Sequence, residues 1–343
     1  MRYWHIIILV LMMAMVAVPF AVAEREHPMH SGDTIAHVEA TKAHVWQYPA
    51  QMLSEIPVTL GGNNPLKAML WFDISMLLLA MATLYFVFSR LVSKWAGVMA
   101  VVLAVFCSTG IASLFFAGAI FSVINVYILL PLGLYFLIRW LEQQRIYQIA
   151  LSLLFMVAAC VIHPTGIYIP LLLLVLSGAL MLIKQYRKKG LIVFAFTVVT
   201  SCAALFAVGI PYMEHYLWNP VAPPISAGIF LKQYLSIPTA VLLIAGVFLF
   251  AVSKKERSFK SKLTIIGLLS FAVVLVPLAF TAISRDPGRQ AIDLASVAAL
   301  LAASLLGIVV RNKQYPVLSP ALMLVAFVGA IPLIKVWIMG GTV

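Results

Sequence analysis

Long apolar runs, separated by short polar segments, recur along almost the whole chain. Most runs hold about 20 residues, the length that an α-helix needs to cross a hydrocarbon core of about 30 Å. They are rich in Leu, Ala, Val and Ile and alternate only weakly, which favours helices over strands. The pattern predicts about eleven membrane-spanning helices. Their starts lie near Tyr3, Leu66, Ala96, Ala119, Ile146, Ile167, Leu191, Tyr234, Leu263, Ala291 and Val317.

The composition is that of a membrane protein. Of the 343 residues, 64% are hydrophobic and 10% are charged, whereas a soluble domain has about 25% charged residues. The predicted fold class is an all-α polytopic membrane protein in which residues 1–343 form a single integral membrane domain. The sequence contains no Walker A loop, Gly-rich dinucleotide fingerprint or HExxH motif, so a nucleotide-driven pump or a zinc protease has no support.

Lysine and arginine occur in every second loop, as the positive-inside rule requires of cytoplasmic loops. The net charge of +12 is spread over these loops, which argues against a nucleic-acid partner. The pattern predicts a multi-pass protein of the cell membrane with a cytoplasmic amino terminus and an external carboxyl terminus. Residues 24–65, 211–233 and 283–290 then form extracytoplasmic loops.

The first apolar run has two interpretations. Arg2, the apolar run and the small residues before Glu24 also fit a signal peptide with an A-x-A cleavage site. The run is therefore either a retained anchor or a cleaved signal. Both interpretations leave residues 24–65 on the extracytoplasmic side.

The first outer loop contains the polar segment GDTIAHVEATKAH, residues 32–44. Asp33 suits the N-cap of a short helix that begins near it and lies along the membrane surface. Asp33 and His37 are one helical turn apart and share a face. Spacing alone leaves open whether Asp33 only caps the helix or joins His37 in holding a divalent metal.

Two arginines depart from the positive-inside pattern. Arg285 and Arg289 flank a Pro-Gly turn in SRDPGRQ, residues 284–290, within a predicted outer loop. An arginine fork matches phosphate oxygens, so the pair is a candidate phosphate site. The alternative is an interfacial turn in which Asp286 and lipid headgroups pair with the arginines.

Four further polar residues are candidates for substrate binding. Asp73 lies inside a predicted span, where a charge costs about 2.5 to 3.5 kcal/mol and usually faces a cavity; a hydrogen-bonded structural role is the alternative. His163 lies at the outer rim of the fifth span, where packing at the interface is the alternative. Glu214 and His215 belong to a loop rich in proline and aromatics, which suits either a flap over a cleft or an aromatic belt.

The segment around Asp33 and His37 resembles the first outer loop of the GT-C superfamily of membrane glycosyltransferases, in which an Asp is followed within one turn by a His or an acid. Residues 115–144 and 161–178 are also similar to segments of bacterial and archaeal members of the polyprenyl-linked kind. The likeness covers roughly the first half of the chain. It implies a GT-C-like bundle with a long first extracytoplasmic loop that carries short interfacial helices.

The resemblance also implies an activity. A polyprenyl-phosphate-linked sugar would donate a hexosyl or pentosyl group to a lipid, glycan or protein acceptor at the extracytoplasmic face. Asp33 would be the general base, with His37 beside it, and Arg285 and Arg289 would stabilise the phosphate leaving group. Because no covalent nucleophile is needed, transfer would invert the anomeric centre. Asp73, His163, Glu214 and His215 would contribute to substrate binding.

The chain departs from the family pattern in two respects. Residues 108–120 lack the second acid that many members carry in the next outer loop, and the soluble carboxyl-terminal domain of larger members is absent. The missing acid argues against a metal site, so a divalent metal is only an alternative cofactor. It also leaves an inactive scaffold subunit as an alternative function. A transporter or lipid flippase is a third interpretation, against which the absence of a clear internal repeat argues. Membrane lipids are predicted partners, and the sequence assigns no oligomeric state.

Overall fold

The structure, a computed structural model, is helical wherever its described residues have regular secondary structure. Among the described residues, five helices are long and apolar enough to cross a membrane. Five shorter apolar helices are also present among these residues. The described residues are 3–26, 38–43, 53–107, 124–162, 166, 168–208, 223–252, 259–281, 287–310, 321, 324–325 and 328.

The helices are numbered here in chain order. Most predicted starts lie within about one helical turn of the observed ones, and those at Ala119 and Val317 fall outside the described residues. The bounds are α1 Trp4–Glu26, α2 Glu55–Gly61, α3 Pro65–Leu91, α4 Lys94–Val101, α5 Leu130–Gln143, α6 Ile146–Ile162, α7 Tyr168–Leu182, α8 Arg187–Val208, α9 Ile237–Val252, α10 Phe259–Phe280 and α11 Pro287–Val310.

The first outer loop contributes short helical pieces. Helix α2 has seven residues, and residues 38–42 are also helical, with Val38 buried against the bundle. The sequence predicts that the helix over residues 38–42 starts near Asp33, which lies outside the described residues.

Hydrogen bonds and ion pairs between helices define the direction in which each one runs. Near the start of α10, Ser261 donates to the Leu91 carbonyl at the end of α3 (3.4 Å). Lys260 pairs with Glu142 at the end of α5 (3.3 Å). Helices α3 and α5 therefore end at the same face of the bundle, where α10 begins.

Helices α4, α8 and α11 extend this face. Ser93, the N-cap of α4, donates to the Gly307 carbonyl late in α11 (2.9 Å). Lys189, in the first turn of α8, donates to the Leu141 carbonyl (2.6 Å). We call this face the basic end, because many described lysines and arginines lie there. They are Arg90, Lys94, Arg139, Arg145, Lys184, Arg187, Lys188, Lys189, Lys260 and Lys262.

Several loops that the charge pattern assigns to the cytoplasm therefore meet at one end of the bundle. Helices α3, α5 and α11 run parallel to one another toward it. The assignment of this end to the cytoplasm stays a prediction.

Three wide, π-helical segments lie toward the opposite end. Val102–Cys107 continues α4 away from the basic end, and Ile124–Leu129 precedes α5, which runs toward it. Phe230–Tyr234 precedes α9, and its Phe230 ring packs edge-on against Phe280, the last residue of α10 (5.4 Å). Such segments interrupt regular helical packing and are frequent at functional sites.

Near the basic end, helices approach one another closely through small residues, as is common in membrane bundles. A Cβ added to Gly307 of α11 would lie 2.4 Å from the Cβ and 2.9 Å from the Cα of Ala96 on α4. Helices α4 and α11 therefore cross at a point where only glycine fits. Gly178 on α7 has no heavy atom within 4 Å of such a Cβ and offers a matched comparison.

We expect Gly307→Ala to lower the free energy of unfolding by about 1–3 kcal/mol, because the added methyl group overpacks the crossing. The gain in helix propensity, about 1 kcal/mol at most, is too small to offset this. Gly178→Ala should leave stability unchanged or raise it by up to about 1 kcal/mol. Unfolding in mixed micelles with increasing denaturing detergent measures both, and equal effects of the two substitutions would contradict the close crossing.

Candidate functional site

Buried polar side chains concentrate at one level of the bundle, away from the basic end. Asp73 lies on α3, Asn125 and Tyr127 on the π-helical segment before α5, and Gln290 and Asp293 on α11. Each is at most 2% exposed. We refer to these five residues as the polar layer.

Helical geometry explains why the two acids share a level. At a rise of about 1.5 Å per residue, Asp73 lies about 12 Å along α3 from Pro65, and Asp293 about 9 Å along α11 from Pro287. Because α3 and α11 run parallel and both end at the basic end, these offsets put both carboxyl groups in the opposite half of the bundle.

A cavity lies between α3, α5, α10 and α11, and its lining includes Phe88, Pro131, Gly267 and Leu300. It is a narrow, partly open cleft in which water-sized spheres can occupy about 30 Å³, room for about two water molecules. Apart from the hydroxyl groups of Thr264 and Ser296, its lining side chains are apolar. The cavity is therefore almost entirely apolar.

On α11, helical periodicity links the polar layer to this cavity. Gln290, Asp293, Val297 and Leu300 follow one another at spacings of three or four residues, and the last two line the cavity. On α3, Asp73 lies about 21 Å along the helix from Val87, where the cavity lining begins. The polar layer thus lies beyond the end of the cavity that is farther from the basic end.

One hydrogen bond joins the polar layer to the cavity wall. The Tyr127 hydroxyl donates to the Ser296 hydroxyl across the gap between the π-helical segment and α11. Ser296 in turn donates to the Ile292 carbonyl (3.1 Å), and Asp293 acts electrostatically on the Tyr127 hydroxyl. These hydrogen bonds thereby connect the π-helical segment to α11 at the boundary between polar and apolar surroundings.

Two members of the polar layer lack partners among the described residues. No hydrogen bond reaches Oδ1 of Asp73, or either Oε1 or Nε2 of Gln290, from that part of the protein. A buried polar atom left unpaired costs about 1–3 kcal/mol, and a carboxyl group inside a membrane span adds to that cost. Such groups are uncommon in proteins and call for an explanation.

Of the site residues predicted from sequence, Asp73 is the one whose side chain the structure describes. Asp73 is buried on α3 and is not among the residues that line the cavity, and its part in binding stays a prediction. Arg289 lies in the first turn of α11, and its side chain is not among those described. The other predicted site residues lie outside the described residues: Asp33, His37, His163, Glu214, His215 and Arg285.

Sequence reasoning missed Asn125, Tyr127, Gln290 and Ser296. A signal was present on α11, because Gln290 and Asp293 are three residues apart in an otherwise apolar helix and mark a polar stripe. Asn125 and Tyr127 carried no comparable signal, since their π-helical geometry changes which side chains share a face.

Metal binding has no ready site in the described part of the chain. There, no three or more His, Cys, Asp or Glu side chains are grouped so as to hold an ion. The predicted pair Asp33 and His37 lies outside this part.

We expect the Tyr127–Ser296 hydrogen bond to contribute a coupling energy of about 0.5–1.5 kcal/mol to stability. A double-mutant cycle of Tyr127→Phe and Ser296→Ala, followed by unfolding, measures it. Ser304→Ala is the matched control, because Ser304 is buried on the same helix and donates to the Leu300 carbonyl (2.8 Å). Tyr127→Phe should be additive with Ser304→Ala, and additivity with Ser296→Ala as well would rule the bond out.

The fold resembles that of a solved membrane enzyme. The chain superimposes on the apo oligosaccharyltransferase of the archaeon Archaeoglobus fulgidus with a TM-score of 0.61 at 12% sequence identity. The superposition covers 99% of this chain and 56% of the archaeal one, so the chain spans little more than half the length of that protein. No family model and no curated protein matches the sequence. The likeness shows the fold alone: this is an all-α membrane protein whose helical bundle resembles the superimposed part of that enzyme.

Proposed function

We propose that the protein is a membrane glycosyltransferase that moves a sugar from a polyprenyl-phosphate donor to a lipid, glycan or protein acceptor on the extracytoplasmic face. The observation that carries the proposal is the buried polar layer above an apolar cavity, within a GT-C-like bundle and away from the basic end. An amphipathic donor has the same division into a polar head and an apolar chain.

Chain order supports the proposal, because the described helices that flank the candidate catalytic segments end or begin away from the basic end. The His5 ring of α1 stacks on Tyr85, near the end of α3 (6.1 Å), so α1 begins toward the basic end and leads away from it. The segment with Asp33 follows α1 and precedes the start of α3. The segment with Arg285 joins the end of α10 to the start of α11, also away from the basic end.

The proposed reaction is a single displacement. Asp33 removes the proton of the acceptor hydroxyl, and the acceptor oxygen attacks the anomeric carbon of the donor sugar. The bond from that carbon to the phosphate oxygen breaks, and its electron pair stays on the polyprenyl phosphate. Arg285 and Arg289 offset the charge that develops there, and inversion at the anomeric carbon follows from the single attack.

The other candidates have supporting roles in this proposal. His37, one turn from Asp33, orients the base or joins it in binding a divalent metal. Glu214 and His215 help to hold the acceptor under their loop, and His163 lines the outer rim. Asp73 binds substrate from within the bundle.

A transporter, a lipid flippase or an inactive scaffold subunit would use the same cavity without chemistry. The absence of an acid from residues 108–120 is the observation that favours a scaffold. Transfer of sugar to an acceptor therefore separates the proposed enzyme from these alternatives.

We expect Asp33→Asn to reduce sugar transfer by about 10²–10⁴-fold, because an amide cannot take the acceptor proton. Glu39→Gln is the matched control: Glu39 is an exposed acid in the same loop, and its neutralisation should leave transfer unchanged. Native mass spectrometry of the purified proteins, supplied with polyprenyl-phosphate sugars, follows the donor. Asp33→Asn should retain intact donor that the wild type consumes, and transfer by Asp33→Asn at the wild-type rate would exclude Asp33 as the base.

The double variant Arg285→Gln, Arg289→Gln should bind undecaprenyl phosphate at least about 10-fold more weakly, because it loses charge-assisted hydrogen bonds to phosphate. Lys67→Gln is the control, since Lys67 is an exposed cation in the first turn of α3. It tests whether general attraction between charges explains the loss. Binding of undecaprenyl phosphate in nanodiscs is the measurement. Unchanged affinity of the double variant would exclude phosphate binding by the two arginines and leave the interfacial turn as their role.

A further inference from the structure

The side chains of Asp73 and Gln290 are 2% and 0% exposed, and the described residues supply no partner for Asp73 Oδ1 or for the Gln290 amide. Gln148, buried to a similar degree near the basic end, offers a contrast. Its Nε2 donates to the Gln143 side chain (2.8 Å). The bundle thus provides a partner for one buried glutamine amide nitrogen but not for the other.

The hydrogen-bonding capacity of these groups restricts what can satisfy them. Gln290 needs a partner that accepts from Nε2 and one that donates to Oε1, whereas an ionised Asp73 only accepts. A bound cation would contact the oxygens and leave the Gln290 Nε2 without an acceptor. An anion would accept from Nε2 but leave the Gln290 Oε1 unpaired. Hydroxyl groups, which both donate and accept, satisfy all three atoms.

The surroundings restrict the ligand further. Gln290 belongs to the stripe on α11 that continues into the cavity-lining residues Val297 and Leu300, whereas Asp73 lies about 21 Å along α3 from Val87, where the cavity lining begins. A ligand bound by these groups therefore lies between a polar level and an apolar compartment. This suits a molecule that has both a hydroxylated part and an apolar part.

We infer that Asp73 and Gln290 recognise the hydroxyl groups of the donor sugar, with the apolar cavity accommodating part of the attached chain. The inference rests on the proposed function and assigns sugar recognition to side chains inside the bundle. Phosphate recognition stays with Arg285 and Arg289. Asp73 and Gln290 would then discriminate a lipid phosphate that carries a sugar from one that does not.

The experiment compares binding of two kinds of probe to the full-length protein in nanodiscs. One probe is undecaprenyl phosphate; the others are undecaprenyl phosphates that carry glucose, galactose, mannose, N-acetylglucosamine or arabinose. We expect the wild type to prefer at least one sugar-bearing probe by about 10-fold or more. Gln290→Leu and Asp73→Asn should each lose that preference, and Gln290→Leu should keep the wild-type affinity for undecaprenyl phosphate.

Stability distinguishes recognition from a structural role. Gln290→Leu removes an unpartnered buried amide, so the protein should unfold at the same or a higher denaturant concentration. The control Gln148→Leu removes an amide whose Nε2 is partnered and whose Oε1 is not, and should lower stability while keeping the preference for the sugar. If Asp73→Asn does not fold, Gln290→Leu alone decides the outcome.

Each remaining outcome overturns the inference in a recognisable way. If the wild type prefers a sugar-bearing probe and Gln290→Leu keeps that preference, Gln290 does not read the sugar, and the proposed function stands. Equal wild-type affinity for all probes would mean that water satisfies the buried groups. If the wild type binds none of the prenyl phosphates, the proposed function falls together with the inference.

Discussion

The cost of placing a polar group in hydrocarbon governs this structure. Within a bilayer, backbone groups must find hydrogen bonds inside the chain, which explains why the described spans are helices. Side chains face the same constraint. Serine and threonine residues inside the helices meet it by donating to carbonyls of the preceding turn, as Thr200, Ser270 and Ser304 do. Against this background, a level that holds two acids, two amides and a tyrosine is exceptional.

The two halves of the bundle differ in how they are held together. Toward the basic end, α4 and α11 meet at the close contact of Ala96 with Gly307, and Ser93 and Ser261 donate to carbonyls of neighbouring helices. Toward the other end, π-helical segments replace regular turns and the polar layer replaces apolar packing. The polar groups are thus carried by helices that contact one another closely toward the basic end. Binding groups held on rigid helices keep their geometry better than groups on loops.

The Tyr127–Ser296 bond has a particular place in this arrangement. It links the π-helical segment before α5 to α11 where the cavity begins. An unsatisfied phenol at that depth would be costly, so Tyr127 and Ser296 each constrain the position of the other's helix. The side chains of Asp293, one turn before Ser296, and Asn125, two residues before Tyr127, are thereby held at the same level.

The apolar runs of the sequence were sufficient to predict the fold class and nearly all of the helix starts, because span length and helix formation depend on local composition and bilayer thickness. Charge along the chain likewise predicted which loops would share an end. The candidate site was less accessible. Asp73 stood out as a charge within a span, but nothing in the sequence joined it to Gln290, which lies more than 200 residues away. Only the parallel course of α3 and α11 beside one cavity puts their polar residues in the same half of the bundle, since the depth and facing of a side chain depend on contacts between helices that are distant in sequence.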